Sequence, residues 1–151
     1  MLQVAGEEQF TQTRDEIWVH LTDTEFLSQC IPGLDRVDQT ESRRLVFRVR
    51  PGLAFLKGTL KTTLEIYDEQ PPDALRLRVQ SKGIGSSALV EIAIRLSANE
   101  GGTRLAWSAE VKELGGLLKP VGHSLVSAAA KKVIADGWRG VREALSGGGE
   151  S

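Results

Sequence analysis

Hydrophobic side chains recur at every second position through most of this chain, and the spacing lengthens to a helical one near its end. Leu2, Val4, Gly6 and Phe10 share one phase, so residues 2–11 are expected to form a strand with that face inward; Glu8 falls in the same phase. The alternation then breaks. Thr13 followed by Glu16 is a capping box for a helix through about Leu21, and Thr22 with Glu25 repeats the device for a second short helix ending near Cys30. Pro32-Gly33 stops helical continuation.

From Arg43 the period of two returns. Leu45, Phe47 and Val49 oppose Arg44, Arg48 and Arg50, and Leu56, Gly58, Leu60, Thr62, Leu64 and Ile66 form the inward set of the next strand. Pro71-Pro72-Asp73 supplies a turn. Leu75, Leu77 and Val79 follow, then Ala88, Val90, Ile92, Ile94 and Leu96, and after Gly101-Gly102 the set Leu105, Trp107, Ala109 and Val111. Charged residues fill the alternate positions, which describes an antiparallel meander with one solvated face. Beyond Gly115-Gly116 the residues Leu118, Val121, Leu125, Ala128, Val133, Trp138, Val141 and Leu145 fall on one helical stripe. About 28 helical residues would span roughly 42 Å, enough to cross the concave face of such a sheet. Residues 1–146 thus read as one domain, with 147–151 expected to be a disordered tail.

A chain of 151 residues can bury about 70% of its unfolded surface, so a core with room for a cavity is within reach. Nineteen Lys and Arg against 20 Asp and Glu give a net charge of -1 and no general attraction to nucleic acid or anionic lipid. Cys30 is the only cysteine; with no signal-peptide pattern in MLQVAGEEQF, a cytoplasmic location is expected. No apolar run approaches the roughly 18 residues of a membrane span.

Catalytic signatures are sparse. His20 and His123 are far apart in sequence, no HExxH or CxxC is present, and Ser124 beside His123 lacks a nucleophile elbow, so neither a metal nor a cofactor is expected. Gly83-Ile84-Gly85 reads as a turn rather than a phosphate loop, lacking the third glycine and the Lys-Ser/Thr pair. The arginines at 43, 44, 48, 50, 76 and 78 share their outward face with Glu65, Glu91 and Glu110, so a mixed solvated surface is expected. Lys119, Lys131, Lys132, Arg139 and Arg142 against Asp136 and Glu143 read as the wet back of the last helix. An inward Glu8 is either a polar anchor for a ligand or a carboxylate near a sheet edge with its head in water, the latter being the simpler reading. An inward Trp107 can stack on a flat ring, though core packing is the simpler role.

Four blocks, EIWVHLTDTEFLSQCIPG at 16–33, LKGTLKTTLEIYDEQPPDALRL at 56–77, GGTRLAWSAEV at 101–111 and AAAKKVIADGW at 128–138, resemble the START-like helix-grip superfamily, also called SRPBCC. Within it the chain resembles the CoxG-like family of carbon monoxide dehydrogenase accessory proteins. The resemblance implies an α+β fold: a curved antiparallel sheet of about seven strands around a long C-terminal helix, with two short helices after the first strand and an apolar cavity inside. It also implies an accessory role beside molybdenum-containing hydroxylases, as a quinone-binding or membrane-recruiting partner rather than a catalyst. Many members carry a C-terminal extension that reaches the membrane, whereas this sequence ends at Ser151, so at most a peripheral contact with the inner membrane face is expected. The inward phases make Phe47, Leu60, Leu64, Leu77, Val90, Ile92, Trp107, Val121 and Leu125 the expected walls for a quinone- or lipid-like molecule, with Glu8 a polar contact. An assembly factor acting through its surface and a cyclase- or hydrolase-like enzyme remain as alternatives, since one scaffold hosts many functions.

Overall fold

The structure is a computed structural model describing residues 2–50 and 58–148, the last two by backbone alone. Its elements run β1 (Leu2–Phe10), α1 (Arg14–Leu21), α2 (Thr24–Ser28), β2 (Leu34–Glu41), β3 (Arg44–Val49), β4 (Leu60–Gln70), β5 (Ala74–Gly83), β6 (Ser86–Asn99), β7 (Gly102–Gly116) and α3 (His123–Gly148). The strands form one curved antiparallel sheet in the order β1-β7-β6-β5-β4-β3-β2. Neighbours in the sheet are neighbours in sequence except at one joint, where β1 pairs with β7. Inward phases match across the ladder: Leu45 faces Leu64, Leu64 faces Val79, Val79 faces Val90 and Val90 faces Val111. The α+β helix-grip architecture that the resemblance implies is the one observed.

Strand β2 carries no signature in the sequence. It is an edge strand with seven of its eight residues exposed and two register shifts against β3, so no alternation marks it. The first helix has the expected capping box, Thr13 with Glu16. The second is capped differently: Asp23, not Thr22, accepts from the amides of Glu25 and Phe26, and the Thr22 hydroxyl donates to the Trp18 carbonyl. An aspartate one position closer to the helix wins because its carboxylate reaches both free amides. Gly83-Ile84-Gly85 makes the β5–β6 hairpin turn, with φ of 55° at Ile84 and 69° at Gly85.

The last helix begins at His123, after a turn over 117–122, and runs through Gly148, two residues into the segment expected to be a tail; residues 149–151 lie outside those described. Val126, Trp138 and Val141 are its buried apolar residues, while Leu125 and Val133 are 49% and 43% exposed. Counting back from Trp138 in steps of four gives Ile134, Ala130 and Val126. Leu125-Val126 and Val133-Ile134 are adjacent apolar pairs, and extending the stripe back through the turn selects the wrong member of each.

Candidate functional site

The interior between sheet and helices has two unlike ends. At one end, the inward side chains Phe10, Leu75, Ile94, Leu96, Leu105 and Trp107 are all at most 5% exposed. Helix α1 packs there against β6 and β7, contributing Ile17 and Leu21; α3 lies against β1 and adds Trp138 and Val141. The fit is close. A β-carbon on Gly6 would stand 2.8 Å from the Trp107 ring, and one on Gly140 would collide with the Cys30 carbonyl oxygen. Glycine is required at both places because aromatic ring and backbone already occupy the space.

Toward the β5–β6 turn the cover thins. Leu64, Leu77, Val79 and Val90 sit on the same concave face, mid-sheet, and are only partly buried against the core. An apolar strip of that kind, wet at the centre of a seven-stranded sheet, is the surface an apolar ligand gains most from covering. Within it Thr62 pairs with Ser81 across the strands, their hydroxyl oxygens 2.9 Å apart.

The residues expected to form the walls fall into three groups. Leu64, Leu77 and Val90 lie on the half-open strip, and Phe47, Leu60, Ile92 and Trp107 are inward but buried, between 5% and 9% exposed. Val121 and Leu125 are corrections: Val121 is in the turn before α3, and Leu125 is on the solvent side of the helix. Glu8 is inward on an edge strand, where it keeps about 24% of its side chain exposed and also finds a partner. Its Oε1 accepts from the Arg142 guanidinium at 2.8 Å, and the same guanidinium lies 4.9 Å from the centroid of the Phe10 ring. The helical pattern marks Arg142 only as surface charge; no local signal announces a pairing across 134 residues. Leu56, expected to point inward, lies outside the described residues.

Two surface clefts lie elsewhere. One, of about 410 Å³, is floored by Ala74, Ala93, Ala106 and Ser108 on the convex face; the other, of about 710 Å³, runs between Ile31-Pro32 and the Arg139–Ala144 stretch of α3. Both are open and rimmed by charged side chains, so neither would remove an apolar molecule from water as the concave strip does.

The fold's likeness to known proteins follows this geometry. Residues 6–146 match the model of the carbon monoxide dehydrogenase G-subunit family, CoxG. The chain belongs to that family. Among solved structures, a conserved protein from Geobacillus kaustophilus is 25% identical, with a TM-score of 0.85 over 96% of this chain and 95% of its own. A protein from Rhodobacter sphaeroides (18% identical, TM-score 0.68, 97% and 93% covered) and an AHSA1 protein from Silicibacter pomeroyi (13%, 0.66, 95% and 97%) share the helix-grip fold. No curated protein matches significantly. In this CoxG-family chain the interior lies between the sheet and the long helix.

That space holds little reactive chemistry. Cys30 is buried, its thiol donates to the Phe26 carbonyl at 3.2 Å, and burial pushes its pKa up to about 11, so it stays protonated and poorly nucleophilic at neutral pH. Among the described residues no three His, Cys, Asp or Glu side chains gather around one point. The arginine-rich outer face is laced with carboxylates, as Arg43–Glu69, Arg48–Asp38 and Arg78–Glu91 illustrate. No helix among the described residues is long and apolar enough to cross a membrane.

Proposed function

We propose that this chain is a non-enzymatic container for an apolar small molecule, quinone- or lipid-like, acting as an accessory to a molybdenum hydroxylase of the carbon monoxide dehydrogenase type. The observation that carries the container reading is the half-open strip of Leu64, Leu77, Val79 and Val90 on the concave face. Each methylene moved from water onto such a surface gains about 0.8 kcal/mol, so even a short prenyl chain supplies a driving force. The accessory role rests on the family, which is named for a component of that enzyme. The reading includes a cytoplasmic location with peripheral contact to the inner membrane face. Ile84 and Leu117, 38% and 66% exposed, stand at the open end with Lys82 and Lys119 close by in sequence, an apolar tip with basic flanks.

Native mass spectrometry of the purified protein, followed by organic extraction, tests the container. Retention of about one quinone or lipid per chain is the expected result; an empty protein that also ignores added quinone would shift the function to its surface, as in an assembly factor. Glu8→Gln addresses the enzyme alternative. A superfamily-type hydrolase or cyclase using this carboxylate would lose turnover, whereas a container with Glu8 already tied to Arg142 is expected to change at most in affinity.

A further inference from the structure

We infer that the molecule held in this interior has an uncharged, oxygen-bearing head, and that this head seats against the hydroxyls of Ser81 and Thr62 with Ser86 beside them. The inference rests on the container reading and adds which end of the ligand goes where. Thr62 and Ser81 stand opposite each other on β4 and β5, and their 2.9 Å hydrogen bond uses one of their two O–H hydrogens. Neither hydroxyl has another hydrogen-bond partner among the described residues. One row nearer the turn, Ser86 is 6% exposed and its Oγ has no partner among those residues. It stands opposite Gly83, two residues along β5 from Ser81, and in the same inward phase. Buried hydroxyls are nearly always paired, so the buried Thr62 and Ser86 and the partly buried Ser81, which together keep two spare O–H hydrogens and unfilled lone pairs on an apolar wall, mark a place for a polar atom.

The neighbours decide the charge of that atom. Phe47 lies opposite Thr62, Ala88 opposite Ser81, and Leu64, Val79 and Val90 form the next row of the wall. None of these could balance an ion. The inward charge on β1, Glu8, is neutralised by Arg142 at the far end, opposite Leu105, which is itself opposite Leu96. Leu96 and Ala88 are eight residues apart on β6, roughly 27 Å along the strand, so no small head group touches both ends. A carbonyl or hydroxyl oxygen finds donors and acceptors at the hydroxyl end; a carboxylate or phosphate would be stripped of water with no counter-charge among the described residues that line it.

Three probes of similar chain length, 2-tridecanone, 1-dodecanol and dodecanoate, test this on the full chain at pH 8, read by isothermal titration and intrinsic tryptophan fluorescence. The ketone and the alcohol are expected to bind, and dodecanoate to bind at least about tenfold more weakly. The Thr62→Val/Ser81→Ala double variant is expected to lower ketone affinity about fivefold, the usual worth of one hydrogen bond. Dodecanoate binding as tightly as the ketone overturns the inference, and needs no variant to fold. A folded double variant that binds the ketone with unchanged affinity overturns it too. If none of the three probes binds, the container reading fails first and takes the inference with it.

Discussion

The two ends of the concave face are built from the same strands, yet one is sealed and the other half-open. At the sealed end Trp107 fills the space above Gly6, and Gly140 lets α3 rest directly on the Cys30 carbonyl. At the other end the sheet presents the smaller Leu64, Leu77, Val79 and Val90, and Leu125 and Val133 of the helix turn to water instead of down onto them. Side-chain size and cover both differ. Packing supplies stability where the fit is close, and exposed apolar surface is retained where something else can complete it.

Substitutions that treat the two ends separately should separate stability from binding. Trp107→Ala is expected to cost about 3–5 kcal/mol by urea unfolding, because it empties the sealed end. Next come the helix glycines, where the ordinary preference for alanine should split. Gly140→Ala is expected to destabilise by about 1–3 kcal/mol through collision with the Cys30 carbonyl, although alanine is the better helix former. Gly137→Ala meets nothing within 4 Å and is expected to stabilise by up to about 1 kcal/mol. Equal shifts for the two would mean that α3 is not held at Gly140.

Leu64→Ala belongs to the half-open end. It is expected to cost only about 1 kcal/mol of stability, since part of the side chain already faces water, while weakening any bound ketone or quinone several-fold. A loss of stability matching that of Trp107→Ala would erase the distinction between the ends. Smallest of all, Glu8→Gln is expected to change stability by under about 1 kcal/mol, and less in 1 M salt. Its partner Arg142 is 44% exposed and the pair is screened.

The sheet was legible in the sequence wherever one face is wet and the other dry. The phase of Leu64, Leu77, Val79 and Val90 came directly from alternation, and so did the inward position of Glu8. Strand β2 was not legible, because an edge strand exposed on both faces has no phase to show. The helix face failed at Leu125 for the opposite reason: Leu125 and Val126 are both apolar, and only the start at His123 and the anchor at Trp138 decide which is buried. Thr62 was visible as an inward residue, but its pairing with Ser81 depends on the β4–β5 register, which is set by the turn at Pro71-Pro72-Asp73 and the irregularity between Tyr67 and Gln70 beside it. Arg142 as the partner of Glu8 needed the three-dimensional fold.

The joint between β1 and β7 has a consequence in time. Leu2 pairs with Val111, so the first strand to leave the ribosome has its partner about a hundred residues downstream. At roughly 5–20 residues per second, β1 waits about 5–20 s before β7 exists to receive it. Strands β2 to β6 pair in sequence order meanwhile, and the sheet becomes complete only when the oldest and youngest strands meet.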